Sequence, residues 1–230
     1  MAETALAARL RRLRPGRQAT LGLAALVVAQ ALLALVYATS PAVAGVADPL
    51  TFAWVLLQPI VWINAGLLAV LTTRPPPAST RRRYVGLAVG AGYFLVLSYF
   101  GGLLGAGIGS GLVDVNWALP PGYSPRLFYD GALLRLALEP YKVVGYAALA
   151  YLVYVTVLDA AGSALSGVVG LFSCVSCTWP IIGTVAASVF GGSSAVAAAA
   201  MDQAYPLSSL VFLSAVALLW WRPSLRSRGG

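Results

Sequence analysis

Thr51 to Leu71 reads TFAWVLLQPIVWINAGLLAVL, an apolar run with no charged side chain. An α-helix needs about 20 such residues to cross roughly 30 Å of hydrocarbon, and this run supplies them. Backbone amides and carbonyls find no water at that depth, so a helix, which bonds them internally, is the form the run must take. Gln58, Pro59 and Asn64 interrupt its apolar character. Polar side chains there face other helices or a cavity. The run therefore predicts a bundle, with Gln58 and Asn64 either joining helices or lining a path between them.

The whole chain shares this character. Hydrophobic residues make up 60% of its 230 positions and charged residues 10%, with a mean hydropathy of +0.83. A soluble domain carries roughly 25% charged residues, so this chain cannot cover a water-facing surface. The alternating segments of about ten residues that mark an outer-membrane barrel are not visible. Further spans are expected at 21–39, 84–108, 143–158, 163–190 and 206–221. With 51–71 they give an all-α, polytopic membrane bundle of about six helices in a single domain, residues 1–230. The first run also fits a signal peptide, with small-residue cleavage sites between Ala42 and Ala47. Its length exceeds the roughly 7 to 15 residues of a signal core, which favours an uncleaved span.

The net charge of +8 is sorted rather than spread. Arginines cluster at Arg9, Arg11, Arg12, Arg14 and Arg17, at Arg74 and Arg81 to Arg83, and at Arg222, Arg226 and Arg228. Cytoplasmic ends of spans carry such clusters. Six spans place the N-terminus (1–20), the proline-rich loop 72–83 and the tail 222–230 together in the cytoplasm, with the protein in the cell (inner, cytoplasmic) membrane. The lipid bilayer and its anionic headgroups are the expected partner, and no aromatic interleaving suggests nucleic acid. There is no histidine, which excludes bis-histidine haem, histidine-ligated zinc or copper, and a histidine base.

In the third span Gly86 and Gly90, then Gly101, Gly105 and Gly109, recur at a spacing of four. On one helix face they would allow close packing first, and contact between copies in a homo-oligomer second. Residues 109–131 are expected as an outer loop, with Trp117, Tyr123, Phe128 and Tyr129 at headgroup level. Ala132 to Leu138 is expected as a short apolar helix containing Arg135. Glu139 and Lys142, three apart, can pair at the outer mouth of the fourth span. The alternative makes Glu139 a proton or cation acceptor.

Ser173 to Pro180 reads Ser-Cys-Val-Ser-Cys-Thr-Trp-Pro and holds both cysteines. The run around it, 163–190, is too long for a straight perpendicular helix. Pro180 removes an amide donor, so the fifth span should break there and restart with proline in its first turn. Cys174 and Cys177 would then share a face beside a helix start whose partial positive charge favours thiolate. Such a pair can exchange with disulfides, hold a soft ion such as Cu(I), or pack as two small apolar side chains. Structural zinc wants four ligands, which the chain does not have.

A membrane Cys-x-x-Cys followed by Pro is similar to thiol carriers of the cytochrome c biogenesis and disulfide-reductase kind. Those place single cysteines in two spans, where this chain clusters both in one. The quinone-coupled disulfide-forming family related to vitamin K epoxide reductase also resembles it, but its additional loop cysteines are missing here. The whole chain resembles an uncharacterised family of six-span haloarchaeal membrane proteins carrying Ser-Cys-x-x-Cys-Thr-x-Pro and a Trp-Trp-Arg end, here Trp220 to Arg222. That resemblance implies an archaeal accessory protein that handles copper or maintains thiols for a respiratory oxidase or another extracytoplasmic redox protein.

The expected site is thus Cys174 and Cys177, as a redox pair or as ligands of Cu(I). Pro180, Glu139, Asp202, Gln58 and Asn64 would shape or line it. The alternatives are a structural or regulatory subunit with inert cysteines, and a small-solute transporter built around the broken span. These residues leave an enzymatic role open.

Overall fold

The structure, a computed structural model, describes residues 16–43, 48–160 and 204–220. Five helices are seen: α1 (Arg17–Ala38), α2 (Pro49–Thr72), α3 (Thr80–Phe100), α4 (Pro140–Ala160) and α5 (Ala204–Trp220). The first four are long and apolar enough to cross a membrane, while the apolar part of α5, Ser208–Trp220, is shorter. The expected fifth span, with Cys174, Cys177 and Pro180, lies outside the described residues, as does Asp202.

Asp48 starts α2. Its carboxylate accepts from the amides of Leu50 (3.1 Å) and Thr51 (3.0 Å), and Pro49 follows at the first helical position. Both devices suit a helix N-terminus, where amides lack partners and proline has none to lose. The Thr51 hydroxyl and the two amides hold the Asp48 carboxyl below its ordinary range. The helix continues through Pro59 without ending.

Glycine lets α3 and α4 approach closely. A Cβ on Gly86 would stand 3.1 Å from the Tyr154 ring, and one on Gly90 3.1 Å from the Ala150 carbonyl oxygen. The packing face expected from Gly86 and Gly90 therefore forms, between α3 and α4. Around it, Leu97, Leu149, Leu152 and Val216 are buried in a core shared by α3, α4 and α5. Helices α2, α4 and α5 run in the same direction: Gln58 meets Ser208 and Trp62 meets Tyr141 toward their starts, while Trp220 meets Thr72 and Tyr151 meets the Thr73 carbonyl toward the end of α2. One end of the bundle bears Arg74 and Arg81 to Arg83. The opposite end bears a β-sheet.

That sheet corrects the all-α expectation. Strands β1 (Leu104–Ala106), β2 (Val113–Asn116), β3 (Arg126–Asp130) and β4 (Leu134–Leu138) form one antiparallel sheet in the order β1-β4-β3-β2. The third span ends at Phe100 rather than at 108, because Gly101 caps α3 and Gly102, at φ 77°, turns the chain out of it. Consequently Gly101, Gly105 and Gly109 share no helical face: they lie at the cap, in β1, and in a turn at φ 77°. Residues 109–131, expected as a loop, contain β2 and β3. Ala132 to Leu138, expected as a helix, turns into β4, where leucine alternates with Arg135 and Ala137 at the strand period of two.

The same alternation gives the sheet two unlike faces. On β2, Val113 and Val115 point one way and Asp114 and Asn116 the other; on β3, Leu127 and Tyr129 oppose Arg126, Phe128 and Asp130. Register places the valines of β2, Leu127 and Tyr129 of β3 and the leucines of β4 on one common face. At its far edge Asp130 accepts from the Ser110 hydroxyl (2.6 Å) and the Ile108 amide (3.1 Å), and these bonds lower its pKa.

Two outcomes are expected. Gly90→Val should destabilise the detergent-solubilised protein by about 1–3 kcal/mol through overpacking, whereas Gly92→Val, with open space around it, should leave the melting temperature unchanged. A carboxylate of lowered pKa stabilises above its unfolded value of about 3.9 and loses that effect only as pH falls through its lower folded value. Hydrogen exchange of the 107–131 amides should therefore stay slow down to pH 4 and quicken below it, and Asp130→Asn should be fast at neutral pH.

Candidate functional site

The polar residues of the second span are engaged between helices. Gln58 is buried, and its carbonyl oxygen accepts from the Tyr123 hydroxyl (2.8 Å) while its amide donates to the Ser208 hydroxyl (3.0 Å). Its two ends thus hold the loop between β2 and β3 and helix α5. Asn64 donates to the Ile60 carbonyl (2.7 Å) and to the Gln30 side chain, which brings α1 against α2. One turn from Gln58, the Trp62 indole donates to Ser209 (3.3 Å). Its ring stacks on Phe212 at 4.2 Å and meets Tyr141 and Tyr146 edge-on.

Tyr123 is placed differently from the headgroup position expected of it. The loop that carries it enters the end of the bundle. Gly122, at φ 92°, lies so close to Pro59 that a Cβ would come within 2.3 Å of the proline ring. The Gly122 carbonyl accepts the Tyr141 amide (3.0 Å), one of the first-turn donors of α4 that no helical carbonyl can reach. The Tyr123 ring packs 4.6 Å from that of Tyr141. Trp117, by contrast, is 71% exposed.

Glu139 and Lys142 pair at 2.9 Å, as their spacing predicts, with Arg126 of β3 3.8 Å from the same carboxylate. Pro140 opens α4 between them rather than interrupting it. The Lys142 ammonium also donates to the Gly101 carbonyl (3.3 Å) at the end of α3. Two cations therefore flank one partly buried carboxylate where α3, α4 and the sheet meet. Asp114, Asn116, Arg126 and Phe128 line a shallow groove on the same side of the sheet. Among the described residues, no three cysteine or acidic side chains converge on a point where a metal could sit.

Gln58, Asn64 and Glu139, expected around one site, thus stand in three separate contacts, each between elements of the fold. Sequence reasoning missed Tyr123 and Ser208 as partners of Gln58, Gln30 as the partner of Asn64, and Ser209 as the partner of Trp62. The only signal was the requirement that a polar side chain inside an apolar span find a partner.

Gln58→Leu should lower stability by about 1–3 kcal/mol, because it strips Tyr123 of its acceptor and Ser208 of a donor inside the bundle. Tyr123→Phe should cost less, about 1 kcal/mol, and thermal unfolding in detergent measures both. No curated protein and no solved structure gives a significant match. The family of unknown function DUF7546 matches residues 1–226, and the chain belongs to that family.

Proposed function

We propose that the chain is a multi-pass protein of the cell membrane, arginine end in the cytoplasm and sheet outside, that handles Cu(I) or exchanges thiols through Cys174 and Cys177. Supporting this orientation, Arg17, Arg74 and Arg81 to Arg83 gather at one end, while Asp48, Asp114, Asp130 and Glu139 gather at the other. What supports the functional reading is the pair itself: Cys174 and Cys177, three apart and followed by Pro180, are the chain's two thiols, while Gln58, Asn64, Trp62 and Glu139 each join elements of the fold.

Helix α4 ends at the arginine end and α5 begins at the sheet end, as an intervening span would require. On this reading it is the broken fifth span, and its thiols serve a respiratory oxidase or thiol redox protein outside the membrane. Two thiolates can hold one Cu(I) as cargo, releasing two protons on binding. In exchange, one thiolate attacks a partner's disulfide and the second resolves the mixed disulfide. The chain's dithiol becomes a disulfide as the partner's becomes a dithiol. A structural or regulatory subunit is the second reading, favoured by the same dense interhelical bonding.

Copper content and free thiols of protein purified without chelator decide among these. About one Cu(I) per chain, lost in Cys174→Ser and in Cys177→Ser, is expected for cargo handling. A pair that oxidises in air, with Cys177→Ser trapping a mixed disulfide, is expected for exchange. Two thiols that stay reduced, unreactive and metal-free would overturn the proposal in favour of the structural subunit.

A further inference from the structure

The sheet carries its polarity the wrong way round for a cap in water. An antiparallel sheet packed on a core normally turns apolar side chains inward and polar ones to solvent. Here the face that carries the ion pair of Arg126 and Glu139 also buries Ala137, Leu103 and Asp130 toward the bundle, while Asp114, Asn116 and Arg135 on the same face stay exposed. The opposite face, from Val115 and Leu127 to Leu136, is apolar throughout, and Val115 is 43% exposed and Leu127 38%. Leu104, paired with Leu136, lies on this outer side too.

Helix lengths say what covers that face. Uncharged along its 24 residues, α2 measures about 36 Å and exceeds the roughly 30 Å of hydrocarbon. From Tyr84, just past the arginines, to Phe100 α3 measures only about 25 Å. Between Lys142 and Asp159, α4 offers about 24 Å. Both fall short by about 5 Å, and both fall short at the end where strands replace them, at about 3.3 Å per residue. The strand ends next to the bundle, Leu104 of β1 and Leu138 of β4, therefore lie close to the headgroup boundary.

We propose that the bundle-side half of the sheet is set in the headgroup zone of the outer leaflet, where water still reaches the open edges of β1 and β2, with Val115, Leu127 and Leu136 turned toward lipid. The ion pairs of Arg126, Glu139 and Lys142 are turned inward at the same depth. The inference rests on the reading of α1 to α4 as membrane spans. Tyr129, 38% exposed, pairs with Leu136 on the apolar face, where tyrosine suits the headgroup boundary.

Nitroxide labels in the full chain, carrying Cys174→Ser and Cys177→Ser and reconstituted in phosphatidylcholine and phosphatidylglycerol vesicles, test this. Single cysteines replace Val115 and Leu127, with Leu95 on α3 as the lipid-facing control and Leu133, 91% exposed at the sheet's far turn, as the aqueous one. Labels at Val115 and Leu127 should collide with oxygen in preference to a water-soluble nickel chelate, as at Leu95 and unlike Leu133. Preference for nickel at both would put the sheet in water and overturn the proposal. Shielding from both reagents would overturn it too, by showing that the chain itself or a second copy covers the face. A nickel-accessible Leu95 would instead sink the membrane-span reading beneath it.

Discussion

Gln58 holds the described structure together at the place where its two architectures meet. A primary amide inside an apolar helix demands partners for both ends, since leaving either unpaired costs about as much as a whole hydrogen bond contributes. Tyr123 and Ser208 supply them from segments far away in the chain. One side chain thereby fixes the loop of the sheet and the start of α5 against α2. Pro59, the next residue, presents the flat surface on which Gly122 lies, and the carbonyl of Gly122 completes the first turn of α4. Removal of that amide from α2 would loosen all three contacts together, because each positions the next.

Electrostatics at the same end follow from this arrangement. The sheet brings Arg126 toward Glu139, and α4 brings Lys142, so the charges compensate within a few ångströms where the surroundings turn apolar. Buried charges are tolerated only when paired, and the pairing here joins β3, the β4–α4 junction and the end of α3. Charge turned inward leaves leucine and valine outward. The strand period of two makes that division possible, since one strand can offer opposite polarities on its two faces.

Much of the bundle was legible in the sequence, because crossing hydrocarbon fixes both length and composition. α1, α2, α4 and α5 lie where the apolar runs place them, and Gly86 with Gly90 form a packing face as their spacing requires. The pairing of Glu139 with Lys142 was equally legible from a spacing of three. The sheet was not read, although Leu134 to Leu138 alternates plainly, because strands of three to five residues among glycines and prolines resemble loop. Distance defeated the rest: no local pattern links Gln58 to Tyr123 or Asn64 to Gln30. The cysteine pair rests on its spacing and on Pro180 alone.

Sidedness is the claim on which orientation, the sheet's surroundings and the thiols' partners all depend. It is measured most directly with a membrane-impermeant maleimide applied to intact cells expressing the chain with both native cysteines replaced by serine. One variant carries Leu133→Cys in the exposed turn of the sheet, the other Ser79→Cys in the arginine loop. The account predicts labelling at position 133 in intact cells, and at position 79 only after permeabilisation. Labelling at 79 with protection at 133 would invert the protein in the membrane, and labelling at both in intact cells would contradict a bundle that separates two compartments.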